Sequence, residues 1–310
     1  MRMKLVVPAL AAGLLSLAGC DIDDFNFNGE RFTRDFHYSF PLKPNGRLSV
    51  ESFNGSIEIS GWDQDSVDIS GTKYGPTQER ADDLKIETHN APDSVSVRAI
   101  RPSERRNNLG ARFVVKVPRS TLLDRITTSN GSIRTMDGAG PARLRSSNGS
   151  IRIENLHGPV DAQTSNGAVD LIDVEGDVIA HSSNGHIHAE GLRGGFDAGT
   201  SNSSVKAEIA RATRSVRVET SNGGVELTLP AQITGEVRVN TSNSSITVRL
   251  PSSANARILA RTSNASISSD FDLKVHGEIG KNHMDGEIGS GGGPLIDLAT
   301  SNGSIRLLKM

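Results

Sequence analysis

The hexapeptide Thr-Ser-Asn-Gly-Ser-Ile stands at Thr128 to Ile133, returns unchanged at Thr300 to Ile305, and has seven near copies between. Such a period restricts a chain more than composition does, because every unit must turn alike and meet its neighbours alike. The asparagines set the register: Asn130, Asn148, Asn166, Asn184, Asn202, Asn222, Asn243, Asn264 and Asn302, with steps of 18, 18, 18, 18, 20, 21, 21 and 38. The last step equals about two units, which predicts one degenerate coil before the final copy. Apolar and small residues keep fixed offsets from each asparagine. Val160, Ala162 and Thr164 precede Asn166 at alternate positions, and Val169 and Leu171 follow it the same way, with Val174 further on. Alternation of this kind marks strands with one buried face. Each unit therefore reads as two short strands joined at the asparagine.

Two all-β architectures satisfy this pattern. If each Asn-Gly were a two-residue hairpin turn, the chain would be an antiparallel meander; if each were a corner, the coils would stack as a parallel β-solenoid. Near-constant coil length favours stacking, which sets like residues above one another every ~4.8 Å and rewards keeping the same Thr, Ser and Asn in every copy. Ser203, Ser244 and Ala265 replace the glycine in three copies, against the glycine preference of a tight hairpin. The expectation is a β-solenoid (β-helix) of about ten coils with repeats of 18–21 residues. Asparagine suits such a corner because it tolerates the left-handed backbone region, and stacked amides can form a hydrogen-bonded ladder.

The rest of the chain divides around this repeat. Residues 1–19 read as an export signal: Arg2 and Lys4 precede an apolar run too short to span a membrane. Leu17 to Cys20, Leu-Ala-Gly-Cys, resembles the lipobox of bacterial lipoproteins, which implies cleavage before Cys20 and a lipid on its sulfur. Cys20 is the single cysteine, so no intrachain disulfide is available. Residues 20–35 read as the lipidated cysteine and a tether, 36–123 as a less regular β segment that caps the repeat, and 124–310 as the repeat itself. Ten of the twelve aromatics lie at or before Phe113, so the repeat's core must be built from Val, Ile, Leu and Ala.

Asn54 to Asp63 (Asn-Gly-Ser-Ile-Glu-Ile-Ser-Gly-Trp-Asp), the serial turns, Gly286 to Gly293 and the closing Ala299 to Leu307 give the chain a family resemblance. It resembles the putative adhesin family of bacterial β-strand-repeat envelope proteins, a domain of unknown function. The resemblance implies a solenoid-like fold at the cell envelope and brings no catalytic residues.

A search for chemistry finds little. The formal charge of −2 comes from interspersed signs, which excludes a field that gathers nucleic acid. His186 and His188 share one strand face and His181 lies outward across the corner, a weak candidate metal set that no acid or cysteine completes. Asp161, Asp197 and Asp297 share one outward offset, as the acids of a carbohydrate-active β-helix enzyme would, but Arg143, Arg217 and Arg238 occupy it in other coils. The glycine cluster at Gly289 to Pro294 lacks the lysine of a phosphate loop. No cofactor is expected. The chain reads as a non-enzymatic, membrane-anchored envelope protein, an adhesin or scaffold for an extended ligand. Its partners are the membrane, through the lipid, and a glycan or an envelope protein; the alternative is a periplasmic accessory of an envelope-stress system.

Overall fold

Strands form on both sides of every asparagine turn. The structure, a computed structural model, describes residues 32–102, 108–275 and 280–310. The export signal and Cys20 lie outside the described residues. In the coil of Asn166, Val160–Thr164 is the strand before the turn and Val169–Glu175 the strand after it. Strands before the turn pair in parallel with their counterparts in neighbouring coils, Val160 opposite Val178 and Val178 opposite Phe196. Strands after the turn do likewise, with Val169 between Ile151 and Ile187. Two long sheets result, of 13 and 14 strands, and through the repeat both are parallel. The fold is a parallel β-solenoid, and the meander is excluded.

The core is the narrow space between the sheets. Ile151, Ile153, Val169 and Leu171 from the first sheet meet Leu144, Ala162, Ala180 and Val218 from the second, all at most 1% exposed. Burying each large aliphatic side chain contributes about 1.5–3 kcal/mol, an upper figure because the unfolded chain already shields part of it. In four successive coils the strand after the turn carries one left-handed residue: Asp137 (φ 58°), Asn155 (51°), Asp173 (51°) and Gly191 (70°). It shifts the alternation by one residue, so that Leu156, Val174 and Leu192 face inward three places after Ile153, Leu171 and Ala189. The left-handed conformation expected at the Ser-Asn-Gly asparagines therefore belongs to a different position.

The N-terminal strands are β1 (Phe32–Pro41), β2 (Arg47–Glu51), β3 (Ile57–Trp62) and β4 (Ser66–Gly75). Helix α1 (Gln78–Asp83), β5 (Ile86–Ala91), β6 (Ser94–Ala99) and β7 (Gly110–Pro118) follow, then β8 (Leu122–Thr128) and β9 (Ile133–Gly138). β1 begins inside the segment read as a tether, where Phe32 to Asp35 pair with Thr72 to Gly75. The expected boundary at 123/124 falls within β8. β1, β4 and β7 pair antiparallel and end the first sheet, while β5 pairs antiparallel to β6 and ends the second. Between them α1 buries Ala81 and is followed by buried Leu84; the Thr77 hydroxyl caps its start, and Lys73 Nζ donates to the Asp82 and Leu84 carbonyls at its end. Phe36 packs edge-on against Phe113 with centroids 5.5 Å apart.

Coil order departs from chain order at both ends. The β2–β3 coil lies between the β6–β7 coil and the β8–β9 coil. At the other end the coil of Leu295–Thr300 and Ile305–Lys309 slots between that of Val237–Asn240 and Ile246–Leu250 and that of Ala256–Thr262 and Ile267–Ser269. The expected degenerate coil is absent among the described residues. Instead His283–Ile288 pairs antiparallel with Ala256–Thr262 and with Lys274–Val275, ending the second sheet. The glycine cluster returns the chain to the inserted coil through three left-handed residues, Gly289, Gly291 and Gly292. The Asn255 side-chain amide holds this return by bonding both Gly291 N and Gly291 O at 2.9 Å.

Candidate functional site: a corner ladder and a polar groove

Each turn is built from three side-chain choices. Two residues before the asparagine stands a buried Thr or Ser whose hydroxyl donates to a carbonyl of the adjacent coil. Thr164 bonds Gly149 O at 2.9 Å, and Ser182 and Thr200 bond Gly167 O and Gly185 O at 3.0 Å. The same hydroxyl accepts the amide of its own turn, as Ser182 does from Gly185 N at 2.9 Å. A Cβ at Gly149 would stand 1.8 Å from Gly131 O, so glycine is needed there for close approach. The asparagine side chains join in one row. Asn130 donates to Asn54 at 2.5 Å, and Asn148, Asn166, Asn184, Asn202, Asn222 and Asn243 each donate to the one before at 2.6–2.9 Å. The row then follows coil order rather than chain order, Asn302 donating to Asn243 at 2.8 Å and Asn264 to Asn302 at 2.7 Å. Within the row each amide spends one N–H and one oxygen lone pair on its neighbours, and Asn130 Nδ2 also reaches Phe53 O at 3.4 Å.

The exposed serines before these asparagines border a groove of about 730 Å3 on the outer face of the second sheet. Its floor is one outward column: Arg145, Gln163, His181, Gly199, Glu219 and Asn240, one residue per coil in parallel register. Five steps of ~4.8 Å make that column roughly 24 Å long. Gly199 leaves the middle of the floor bare, and the His181 ring leans over it, with Nδ1 2.6 Å from where a Cβ would stand. Charges toward the ends are paired: Arg145 with Asp161 at 2.5 Å and Arg217 with Glu219 at 2.7 Å. His181 and Asp197, in the middle, make no side-chain hydrogen bond or ion pair with other described residues. Only His181 of this floor column stood out in the sequence. The signal available was a column of unlike polar residues interrupted by a single glycine.

The other candidates separate. His186 and His188 lie on the first sheet, near Asp170 (3.8 Å) and Glu190 (4.0 Å), while His181 lies on the second. Among the described residues no three His, Cys, Asp or Glu side chains gather as metal ligands. Asp161 is held by Arg145, and Asp297 by Arg261 at 2.9 Å and Arg238 at 3.7 Å. Asp161 and Asp197 stand two coils apart with Ile179 between, so the shared offset brings together no acid pair.

No family model matches the chain, and no curated protein matches it. Two solved structures are similar in backbone course. A putative cell adhesion protein from Clostridium sporogenes ATCC 15579 aligns over 89% of this chain and 100% of its own, at 12% identity and a TM-score of 0.31. A putative adhesin from Bacteroides fragilis NCTC 9343 aligns over 90% of this chain and 97% of its own, at 16% identity and a TM-score of 0.45.

Proposed function

We propose that this chain is a non-enzymatic protein of the bacterial cell envelope, lipid-anchored through Cys20, that binds an extended envelope ligand along its second sheet. The polar groove carries this reading: a rigid face, continuous over six coils, offers unpartnered His181 and Asp197 between paired charges. The arginine partners of Asp161 and Asp297 speak against a carbohydrate-active enzyme built on those acids. A regulatory accessory that captures a protein is the second reading, favoured by β1, whose outer edge is unpaired among the described residues over ten positions and suits strand addition. Pull-down of solubilised envelope fractions by the mature chain tests both. Retention of envelope polymer is expected. Retention of one stoichiometric protein, lost when β1 is blocked by Tyr38→Pro, would replace the leading reading with the second.

A further inference from the structure

We infer that the groove takes a neutral, linear, hydroxyl-rich polymer, a glycan chain laid along the stack axis and across the strands, with His181 and Asp197 as its central contacts. This deepens the binding reading above and rests on it. The direction follows from shape: the floor column runs along the axis for roughly 24 Å, five rung spacings. The exposed serines Ser165, Ser183, Ser201 and Ser221 border the groove on one side, one to each coil. A polymer on the axis therefore meets a serine again at each coil, whereas one crossing it meets a single serine.

The chemical class follows from charge and from what is unpartnered. Arg145 and Asp161 cancel, as do Arg217 and Glu219, leaving Asp197 as the single unpaired formal charge. A polyanion would be repelled by Asp197, and a polycation would meet only one free carboxylate along the groove. Asp197 accepts only, while His181, Gln163, Asn240 and the serines both donate and accept. Their complement is a ligand that presents donors and acceptors at short intervals without net charge, as vicinal hydroxyls do. No Phe, Tyr or Trp ring lines the groove, so a broad stacking platform is missing and each sugar is held weakly. Affinity must then accumulate along the chain.

The test uses the full mature chain and calorimetry. The probes are β-1,4-linked glucose oligomers of two to six sugars, galacturonate oligomers of matched lengths, and a solubilised envelope fraction. Neutral oligomers should bind with affinity rising at each added sugar to the longest, and Asp197→Ala should weaken them about tenfold, the loss of one hydrogen bond to a charged group. His188→Ala on the opposite sheet should leave binding unchanged. Stronger binding of galacturonate, affinity that stops rising after two sugars, or no binding of neutral oligomers would overturn the inference. An envelope fraction bound equally by the parent and by Asp197→Ala/Gln163→Ala would also overturn it, while the broader binding reading survives. Failure of the fraction to bind the parent chain would overturn that reading itself.

Discussion

At the residue scale the repeated Thr-Ser-Asn-Gly is one hydrogen-bonding unit. Thr164 satisfies a carbonyl of the adjacent coil and an amide of its own, Gly167 N at 3.3 Å. Thr164→Val keeps the shape and leaves both unsatisfied, so a loss of about 1–3 kcal/mol is expected in urea unfolding. Thr164→Ser should cost little, since Ser146 and Ser182 hold the same place. Asn166→Asp removes the donor to Asn148 and sets a carboxylate against its carbonyl oxygen. Only the protonated acid can donate there, so its folded pKa rises. The variant should approach the parent's stability at acidic pH and lose ground as pH climbs through that pKa, read as the difference between the two at each pH. The Thr and Asn roles were visible in the sequence because stacking repeats them. The left-handed position was not, because Asp137, Asn155, Asp173 and Gly191 vary in type and resemble ordinary turn residues.

At the scale of the strand, alternation in the sequence located the elements and their buried faces, since one face is apolar or hydroxyl-bearing throughout. It said nothing of which coil lies beside which. Outward residues of adjacent strands now show cross-strand pairing, as at Glu154 on Ile151–His157. Hydrogen bonds from Arg134 on β9 and from Arg152 on its own strand hold its carboxyl below the usual range. A depressed carboxylate pKa stabilises the fold above its unfolded value, ~4.3, and that contribution fades as pH falls through the folded pKa. Glu154→Gln should remove it, lowering stability at pH 7 by under about 1 kcal/mol because the pair is partly solvated, and narrowing the gap to the parent in acid. Unfolding curves at the two pH values check the sign.

For the whole molecule, coil order matters most. The β2–β3 coil cannot complete both edges until β7 and β9 are in place, and the last coil wedges between two that precede it in sequence. Long-range closure of this kind makes folding slow and ties both ends into the stack. Deleting residues 295–310 leaves the facing edges of Val237–Asn240 and Ala256–Thr262 unpaired. Loss of the single cooperative melt and association in size-exclusion chromatography are expected; an unchanged monomeric melt would contradict this order. The step of 38 residues suggested a missing coil, because a spacing cannot distinguish an extra rung from a hairpin with a Gly-rich return. The groove was likewise hidden: its floor shares a position but no residue type, and its members come together only once the register is fixed. Three histidines, one in the groove and two on the opposite sheet, report on it directly. Carbethoxylation by diethyl pyrocarbonate, followed by mass spectrometry with and without saturating envelope fraction, compares His181 in the groove with His186 and His188 on the opposite sheet. Protection of His181 with the other two equally reactive is the predicted result. An unprotected His181 beside a bound ligand, or protection of His186 and His188 instead, would contradict a ligand face on the second sheet.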